Sequence, residues 1–327
     1  MTILKMDDKS TKYEVEYFGS DNQHAMYKWN AKSFSPTFGE YYIYQHILTG
    51  SNSIVNFDKN GLRIDENTSG DPVLVIGDSN SAQDYLNFSD GWGGHIETIT
   101  NRRIKIYNAS VPSFGIRAQI NRLKEIIPIV KPKVVILGWY LKDLTSCCVS
   151  RKFLPRLPLV NSVFIEELDR RFFWKMRGMY TTDGDLTQDE LEQFKTKILN
   201  QSSFTSLSTN SQNLILNNFN DWGNAWSLDA LAHYEEPIRE LKDITIGANA
   251  DFIVLLFPHK DQLDLQILDD YPQKYIANIL SNHNIKFIDL IEALNKSKNK
   301  NNLFFDHCHL KQNASPIIGA EVVRLLQ

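Results

Sequence analysis

The stretch Val73-Leu-Val-Ile-Gly-Asp-Ser-Asn-Ser81 predicts the fold. Its aliphatic run ends abruptly at Gly77 and Asp78, which is typical of a buried parallel strand that opens into a functional turn. Open α/β sheets bind their ligands at the carboxyl ends of such strands. Ser79 is therefore a candidate nucleophile at that edge. A serine after a strand is also a common helix N-cap or turn residue, so this second role stays open from these residues alone.

A second motif near the carboxyl terminus provides the partners that a nucleophilic serine needs. In the segment Phe-Phe-Asp-His-Cys-His-Leu at 304–310, Asp306 stands three residues before His309. This spacing lets the carboxylate hold one imidazole nitrogen over a short turn while the other nitrogen faces a nucleophile. A serine hydroxyl needs such a base because it is protonated at neutral pH. The predicted catalytic residues are Ser79, Asp306 and His309.

Together, Gly-Asp-Ser after the first sheet strand and Asp-x-x-His before a C-terminal helix resemble the first and last sequence blocks of the GDSL, or SGNH, hydrolase family. The resemblance extends from about residue 61 to the carboxyl terminus and is interrupted by a long insertion. It implies a flavodoxin-like α/β fold, and esterase, lipase, thioesterase or carbohydrate deacetylase activity without a metal or other cofactor.

The pattern along the chain predicts a three-layer α/β/α sandwich with a mainly parallel, five-stranded sheet. The five strands are expected to begin near Val73, Lys105, Val134, Asp251 and Ile285. No Gly-x-Gly-x-x-Gly or P-loop motif follows any of them, which argues against dinucleotide or nucleoside triphosphate binding. Residues 1–70 are predicted to form a β-rich appendage and residues 71–327 the hydrolase-like domain, with a helical insertion at about 144–249.

Helices are predicted from apolar spacing and capping patterns. The segments expected to be helical are 82–100 with an interruption at 91–94, 117–127, 164–179, 187–200, 228–246, 263–282, 290–294 and 313–326. Residues 201–213 are rich in Ser, Thr, Asn and Gln and are expected to form a loop, a mobile segment or a hinge. The apolar face of 164–179 fits a core helix, a lid or a partner surface.

The family resemblance also implies where an oxyanion would be held. Family members use a glycine after the second strand and an asparagine after the third, and these positions are Ser113 and Lys142 here. The candidate donors are the backbone N–H groups of Ser79 and Ser113 and the ammonium of Lys142. Gly115 offers an alternative register to Ser113, and Asp143 matches the acid that follows the asparagine. The two substitutions leave open a non-catalytic member that binds an acyl ligand, a glycan or a partner protein.

Four further residues are predicted to contact substrate. These candidate substrate-binding residues are Asn80, Gly115, Asp143 and His259. His259 follows the fourth predicted strand, so in a parallel sheet it lies at the same edge as Ser79.

The run Asp306-His-Cys-His309 could also be a metal site, because all four residue types bind metals. Zinc ligands usually come from separated pairs or from helical spacing, and the sequence contains no second such cluster. We therefore predict that the protein binds no metal.

Composition excludes several classes of function. The net charge of −4 over 327 residues gives no electrostatic reason to expect nucleic acid or an anionic membrane as partner. The three cysteines, Cys147, Cys148 and Cys308, form no disulfide framework, which favours a reducing compartment. No apolar signal core or membrane-spanning stretch is present in the sequence, so a cytoplasmic location is expected.

These patterns and the resemblance predict a serine hydrolase that cleaves a carboxylic ester through an acyl-enzyme on Ser79, with a small-molecule or glycan acyl ester as substrate. If the insertion excludes water, an alcohol or amine could accept the acyl group instead. The protein would then be an acyltransferase in polysaccharide or natural-product assembly.

Overall fold

The computed structural model describes residues 58, 60–65, 69–112, 114–145 and 186–327, together with five N-terminal strands. Strands β1 (Glu14–Gly19) and β2 (Ala25–Asn30) form an antiparallel pair. Strands β3 (Phe34–Ser35), β4 (Gly39–Gln45) and β5 (Asn52–Asn56) form an antiparallel three-stranded sheet. The segment predicted to be β-rich therefore contains strands, whereas its status as a separate unit stays a prediction.

The central sheet is parallel and five-stranded, as predicted. Its strands are β6 (Asp71–Gly77), β7 (Ile104–Asn108), β8 (Val134–Trp139), β9 (Asp251–Leu256) and β10 (Lys286–Asp289). Their spatial order is β10-β9-β8-β6-β7, and every neighbouring pair is parallel. This flavodoxin-like order places the point where the winding reverses direction between β6 and β8, which is where such sheets bind ligands.

Helices cover both faces of this sheet, which explains why β6 is apolar along most of its length. The helices in the described part of the chain are α1 (Ser79–Ala82), α2 (Trp92–Ile99), α3 (Ile116–Val130), α4 (Gln188–Ile198), α5 (Ser202–Thr205), α6 (Thr209–Asn217), α7 (Leu228–Ala232), α8 (Glu235–Gly247), α9 (Tyr271–Asn282), α10 (Leu290–Asn295) and α11 (Ser315–Leu326). Helix α2 packs against α11 and β7, while α3 packs against α8 and β6. Within the described ranges, no helix has the length and apolar character needed to cross a membrane.

The predicted loop at 201–213 is wrong, because most of this segment is helical. Helix α5 and the first part of α6 lie within it, and Ser208 caps α6 by accepting a hydrogen bond from the Ser211 N–H. Phe204 and Ile215 are almost completely buried and anchor the two helices. Two large apolar anchors and a serine cap are sufficient here, because tertiary packing overrides the polar composition.

Two predicted helices differ in where they begin. The glycines at 91–94 do not interrupt a helix, because Gly91 is the N-cap of α2 and the next three residues form its first turn. A Cβ atom on Gly94 would stand 2.3 Å from the Phe88 carbonyl oxygen, so glycine is required by that close approach. Residues 264–270 are not helical, and α9 begins only at Tyr271, with Pro272 in its first turn.

The described part of the predicted insertion is helical from α4 through α8. Thr187 and Glu190 form a reciprocal capping box at the start of α4, as their spacing predicted. Helix α8 contacts α3 and β9, as expected of the crossover helix that leads from β8 to β9. Cys147, Cys148 and the predicted helix at 164–179 lie outside the described residues.

A buried carboxyl group in α2 should make stability depend on pH. Glu97 is 2% exposed and accepts a hydrogen bond of 2.7 Å from the Ile106 N–H, and its burial raises its pKa to about 7. Because the folded-state pKa exceeds the unfolded one, this group's stabilisation is present at pH 4 and is lost as the pH rises towards 7. Glu97→Gln keeps an acceptor oxygen but cannot titrate. We expect the variant to gain on the order of 1–3 kcal/mol of unfolding free energy relative to the wild type between pH 4.5 and 8.

Urea unfolding of both proteins at several pH values measures this gain. A difference in unfolding free energy between the two proteins that stays constant from pH 4.5 to 8 would contradict the assignment.

Candidate active site

The structure brings together three side chains from opposite ends of the central fold. His309 Nε2 lies 2.9 Å from Ser79 Oγ, although the two residues are 230 positions apart. His309 Nδ1 lies 2.6 Å from Asp306 Oδ2. Because a carboxylate can only accept, Nδ1 carries the imidazole hydrogen and Nε2 is free to accept the Ser79 proton. This is the geometry that a serine nucleophile and its base require.

The loop that carries Asp306 is built around its carboxylate. Asp306 Oδ1 accepts hydrogen bonds from the N–H groups of Cys308 at 2.8 Å and His309 at 2.7 Å. Burial raises the pKa of Asp306, but the hydrogen bonds and charge of His309 and the backbone N–H of Cys308 outweigh burial and hold the pKa well below its usual range. The group is therefore ionised at neutral pH. The Tyr85 ring packs edge-on against His309 at a centroid distance of 5.5 Å.

Ser79 occupies the first position of α1, directly after β6. The N-cap of this short helix is Asp78, whose carboxylate accepts a hydrogen bond of 2.9 Å from the Asn80 N–H. A capping role therefore does not explain Ser79. As the first helical residue, Ser79 has a backbone N–H without an intrahelical acceptor.

The loop after Ser79 is held by a buried arginine whose contacts the sequence did not predict. Arg63 is 4% exposed. Its guanidinium group donates hydrogen bonds to the carbonyl oxygens of Ala82, Gln83 and Leu86. Its burial lowers its pKa to about 10, so it is still a cation at neutral pH. Ser53 Oγ adds a hydrogen bond of 2.7 Å to the Asp84 carbonyl oxygen.

Two paired glycines make room for the first turn of α1. Gly77 at the end of β6 pairs in register with Gly138 near the end of β8. A Cβ atom on Gly138 would lie 1.8 Å from Ser81 Oγ and 3.0 Å from Phe257 Cε2. Because glycine has no side chain at either position, the first turn of α1, which carries Ser79, can pack closely against the ends of β6 and β8.

The structure describes two of the three residues predicted to hold the oxyanion, Ser79 and Lys142. Ser113 lies outside the described residues, whereas Lys142 is half-buried in the turn after β8. Burial raises the pKa of Asp78, and the positive charge of Lys142 opposes this rise. The Lys142 ammonium thus acts on the residue that precedes the predicted nucleophile.

The turn that carries Lys142 is fixed by buried hydrogen bonds. The Asp143 carboxylate accepts from the Tyr140 N–H at 3.0 Å and from Gln119 Nε2 at 3.2 Å. Burial raises the pKa of Asp143 well above its usual value, and the neighbouring Asp78 adds to the rise. From the insertion, the Tyr234 hydroxyl donates to the Leu141 carbonyl oxygen at 3.1 Å. These contacts give the turn a defined shape beside the strand end.

The structure buries all four predicted substrate-binding residues. Asp143 and Asn80 are 0% and 1% exposed, and their contact with substrate stays a prediction. Gly115 is buried and serves as the N-cap of α3. His259 is also buried. Its ring lies against the ring of His307, which belongs to the same loop as His309, and the two ring centroids are 5.4 Å apart.

The donor set at 306–308 is poorly suited to a metal ion. One ligand atom from each of Asp306, His307 and Cys308 can be chosen so that the three lie within 4.8 Å of one another. However, both Asp306 oxygens already accept hydrogen bonds. Burial raises the pKa of the Cys308 thiol well above its usual value, and the negative charge of Asp306 adds to the rise. A metal would require the thiolate, which this environment disfavours.

The fold and these contacts define a class: an α/β/α sandwich with a serine, a histidine and an aspartate hydrogen-bonded at the topological switch point. No family model matches the chain, and no curated protein matches its sequence. Solved structures do resemble it. An acetylxylan esterase from Geobacillus stearothermophilus is 16% identical, with a TM-score of 0.43 over 79% of this chain and 94% of that chain.

A lipase/acylhydrolase from Enterococcus faecalis is 13% identical, with a TM-score of 0.42 over 78% of this chain and 95% of its own. A lipolytic protein of the G-D-S-L family from Desulfitobacterium hafniense is 12% identical, with a TM-score of 0.44 over 78% of this chain and 98% of its own. Hydrolases of the type that the two sequence motifs resemble are therefore among its structural neighbours. At these identities the similarity concerns the fold, and the chemistry has to be judged from the site's own geometry.

Proposed function

We propose that the protein is a serine hydrolase that cleaves a carboxylic ester through a covalent acyl-enzyme on Ser79. The main support is the continuous hydrogen-bonded chain from Asp306 through His309 to Ser79, with contacts of 2.6 and 2.9 Å. The tautomer that this chain imposes leaves Nε2 unprotonated and directed at the serine hydroxyl. An activated hydroxyl at the switch point of the sheet is the arrangement that acyl transfer needs.

In the first half of the reaction, Ser79 Oγ attacks the acyl carbon and its proton passes to His309 Nε2. The carbonyl π electrons move to oxygen, and the resulting tetrahedral oxyanion collapses with cleavage of the bond to the alcohol oxygen. His309 returns the proton to that departing oxygen, so an alcohol leaves. Asp306 stabilises the transient imidazolium and keeps the ring in place.

The oxyanion would be held beside the ends of β6 and β8. The Ser79 N–H is one donor, and we assign a second to the backbone N–H of Ser113, as the family resemblance implies. Lys142 stands where a side-chain donor is expected, and its charge would stabilise the oxyanion directly. The Asp143 hydrogen bonds that shape the turn would keep this group close to its working position.

In the second half, water attacks the acyl-enzyme with His309 as base and releases the acid. The same intermediate can pass its acyl group to an alcohol or amine, so an acyltransferase is the alternative that shares every residue of this site. The two reactions differ in the acceptor alone.

A fluorophosphonate probe tests the proposed function, because such probes phosphonylate activated serine hydroxyls with loss of fluoride. We expect intact mass analysis and peptide mapping of the purified protein to show a single label on Ser79. Ser79→Ala should abolish labelling and hydrolysis of a short-chain ester. Ser81→Ala is the matched control, since this serine lies in the same motif with its buried hydroxyl lacking a hydrogen-bond partner among the described residues.

Three outcomes would count against the proposal. These are an unlabelled wild-type protein that is demonstrably folded, a label on another residue, and labelling that persists in Ser79→Ala. The first would favour the non-catalytic, ligand-binding alternative.

A further inference from the structure

Tyr85 contacts two aromatic rings of the loop that carries the proposed base. Its ring centroid lies 5.5 Å from that of His309, with the ring planes at 75°, and 5.6 Å from that of Phe305, with the planes at 87°. Both contacts have the edge-to-face geometry that aromatic pairs prefer. The Phe305 N–H also donates to the His309 carbonyl oxygen at 2.8 Å. Tyr85 therefore packs against both ends of the loop 305–309.

A hydrogen bond at one nitrogen does not by itself fix the His309 ring. Asp306 holds Nδ1 at 2.6 Å, but Asp306 belongs to the same short loop, and the His309 side chain is 22% exposed. A ring held at one nitrogen can swing about that atom, and its other nitrogen then moves furthest. This other nitrogen is Nε2, which lies 2.9 Å from Ser79 Oγ and must stay within hydrogen-bond reach of it. A contact on the ring from another segment limits such a swing.

Tyr85 can provide this contact because its own position is fixed. The residue is 2% exposed. Arg63 and Ser53 together donate hydrogen bonds to the carbonyl oxygens of residues 83, 84 and 86, which flank it in the chain. Gln83 Oε1 accepts a hydrogen bond of 2.9 Å from the Trp92 N–H, which joins the same loop to the first turn of α2. The ring is thus anchored by elements that are independent of the loop 305–309.

The Tyr85 hydroxyl is not suited to acid–base chemistry. Burial raises the pKa of Tyr85 well above its usual value, so the phenol keeps its proton at neutral pH. The contact with His309 is made by the ring, which phenylalanine shares.

We propose that Tyr85 is a positioning residue for the base, whose ring holds the His309 imidazole so that Nε2 stays directed at Ser79 Oγ. Tyr85 acts through His309 and is assigned no contact with substrate. It passes the anchoring by Arg63 and Ser53 on to the loop that carries the base. This inference rests on the proposed function, since it concerns the base of the same reaction.

Two variants separate the ring from the hydroxyl. Tyr85→Leu keeps an apolar side chain but removes the ring, whereas Tyr85→Phe keeps the ring. In Tyr85→Leu we expect the rate constant for fluorophosphonate labelling of Ser79 and the kcat for a short-chain ester to fall about tenfold or more, because a misplaced base slows proton transfer. KM should stay within about twofold, since substrate binding is untouched. Tyr85→Phe should label and turn over within about threefold of the wild type.

Phe194→Leu is the matched control. Phe194 is a buried residue of α4 whose ring lies 5.5 Å from that of His233, a histidine of the insertion that we place outside the proposed site. Both leucine variants therefore remove a buried ring from a histidine, and only Tyr85→Leu should slow labelling. Urea unfolding checks that each variant is folded under the assay conditions. If Tyr85→Leu does not fold, Tyr85→Met fills the same space with a flexible chain and carries the same expectation.

A second arm measures the position of His309 without catalysis. The ¹H resonance of the Nδ1 proton, identified by its loss in His309→Gln, is recorded in the wild type, Tyr85→Leu and Tyr85→Phe. We expect the exchange of this proton with water to be faster in Tyr85→Leu alone, because the unrestrained ring leaves Asp306 more often. Faster exchange in Tyr85→Leu together with a wild type that the probe does not label would contradict the proposed function but not the restraint of His309 by Tyr85.

Three results would overturn the inference. Labelling and proton exchange at wild-type rates in folded Tyr85→Leu would show that His309 keeps its place without the ring. Equal losses of labelling in Tyr85→Leu and Phe194→Leu would assign the effect to weakened packing in general. A loss in Tyr85→Phe as large as that in Tyr85→Leu would assign it to the hydroxyl.

Discussion

Asp306→Asn should lower ester hydrolysis about 10⁴-fold while leaving the fold unchanged. The asparagine carbonyl oxygen can still accept the N–H groups of Cys308 and His309, so the loop keeps its shape. Its amide, however, would donate to His309 Nδ1. The imidazole hydrogen would then move to Nε2, and the ring could no longer take the proton from Ser79. The loss should appear in kcat, because the change acts on proton transfer through His309.

Steady-state kinetics with a short-chain ester and the rate of fluorophosphonate labelling both measure this effect. Asp289→Asn provides the control, since Asp289 also accepts a backbone N–H after a sheet strand but caps α10 and has no hydrogen bond to a histidine among the described residues. A kcat for Asp306→Asn within tenfold of the wild type would contradict the proposed orienting role.

Gly138→Ala should destabilise the protein by about 3 kcal/mol or more and abolish labelling of Ser79. The added methyl carbon would fall 1.8 Å from Ser81 Oγ and 3.0 Å from Phe257 Cε2, well inside van der Waals contact. Ser81 is two residues beyond Ser79 in α1, so a backbone shift that relieves this clash would displace the nucleophile from His309. The two effects should therefore occur together.

Thermal or urea unfolding and probe labelling test this prediction. Gly247→Ala is the control, because a Cβ atom there would meet nothing within 4 Å. The double variant Ser81→Ala with Gly138→Ala removes the atom in closest conflict and should recover part of the lost stability. If Gly138→Ala proves as stable and as reactive as the wild type, the strand ends are not packed as described.

The central fold was predictable because its strands carry an unambiguous signal. Each of the five runs is short, apolar and followed by a turn, and the structure contains all five in one parallel sheet. The segment 201–213 was misassigned for the opposite reason. Its helices are stabilised by buried anchors such as Phe204 and by contacts with distant segments, including the hydrogen bond from Ser211 Oγ to the Ile267 carbonyl oxygen. Tertiary contacts of this kind leave no periodic pattern in the sequence.

The candidate site was predictable where chemistry fixes the spacing. Asp306 and His309 stand three residues apart because a carboxylate must reach an imidazole across one turn, and the sequence shows that spacing directly. Depth was not predictable. Asn80 and Asp143 follow sheet strands as substrate-binding residues often do, and the structure shows that both side chains are almost fully buried. Their sequence position fixes the edge of the sheet but not the direction of the side chain.

The contacts of Arg63 were also beyond sequence analysis. Its acceptors are main-chain carbonyl oxygens, and any residue type at 82, 83 and 86 would provide them. Because the guanidinium binds only main-chain atoms there, no particular residue type is needed at the partner positions, and sequence analysis has no signal from which to predict the contact.

The same arginine bears on how small a working fragment of this protein can be. A fragment cut at the predicted boundary before residue 71 would retain the whole parallel sheet and all three proposed catalytic residues. It would nevertheless deprive four carbonyl oxygens between residues 82 and 86 of the donors on Arg63 and Ser53. Those oxygens lie directly after α1, which begins with Ser79. The fragment could therefore fold with an intact sheet while the segment after Ser79 lacks the hydrogen bonds that hold it in place. We therefore expect reactivity at Ser79 to depend on a part of the chain that contributes no strand to the central sheet.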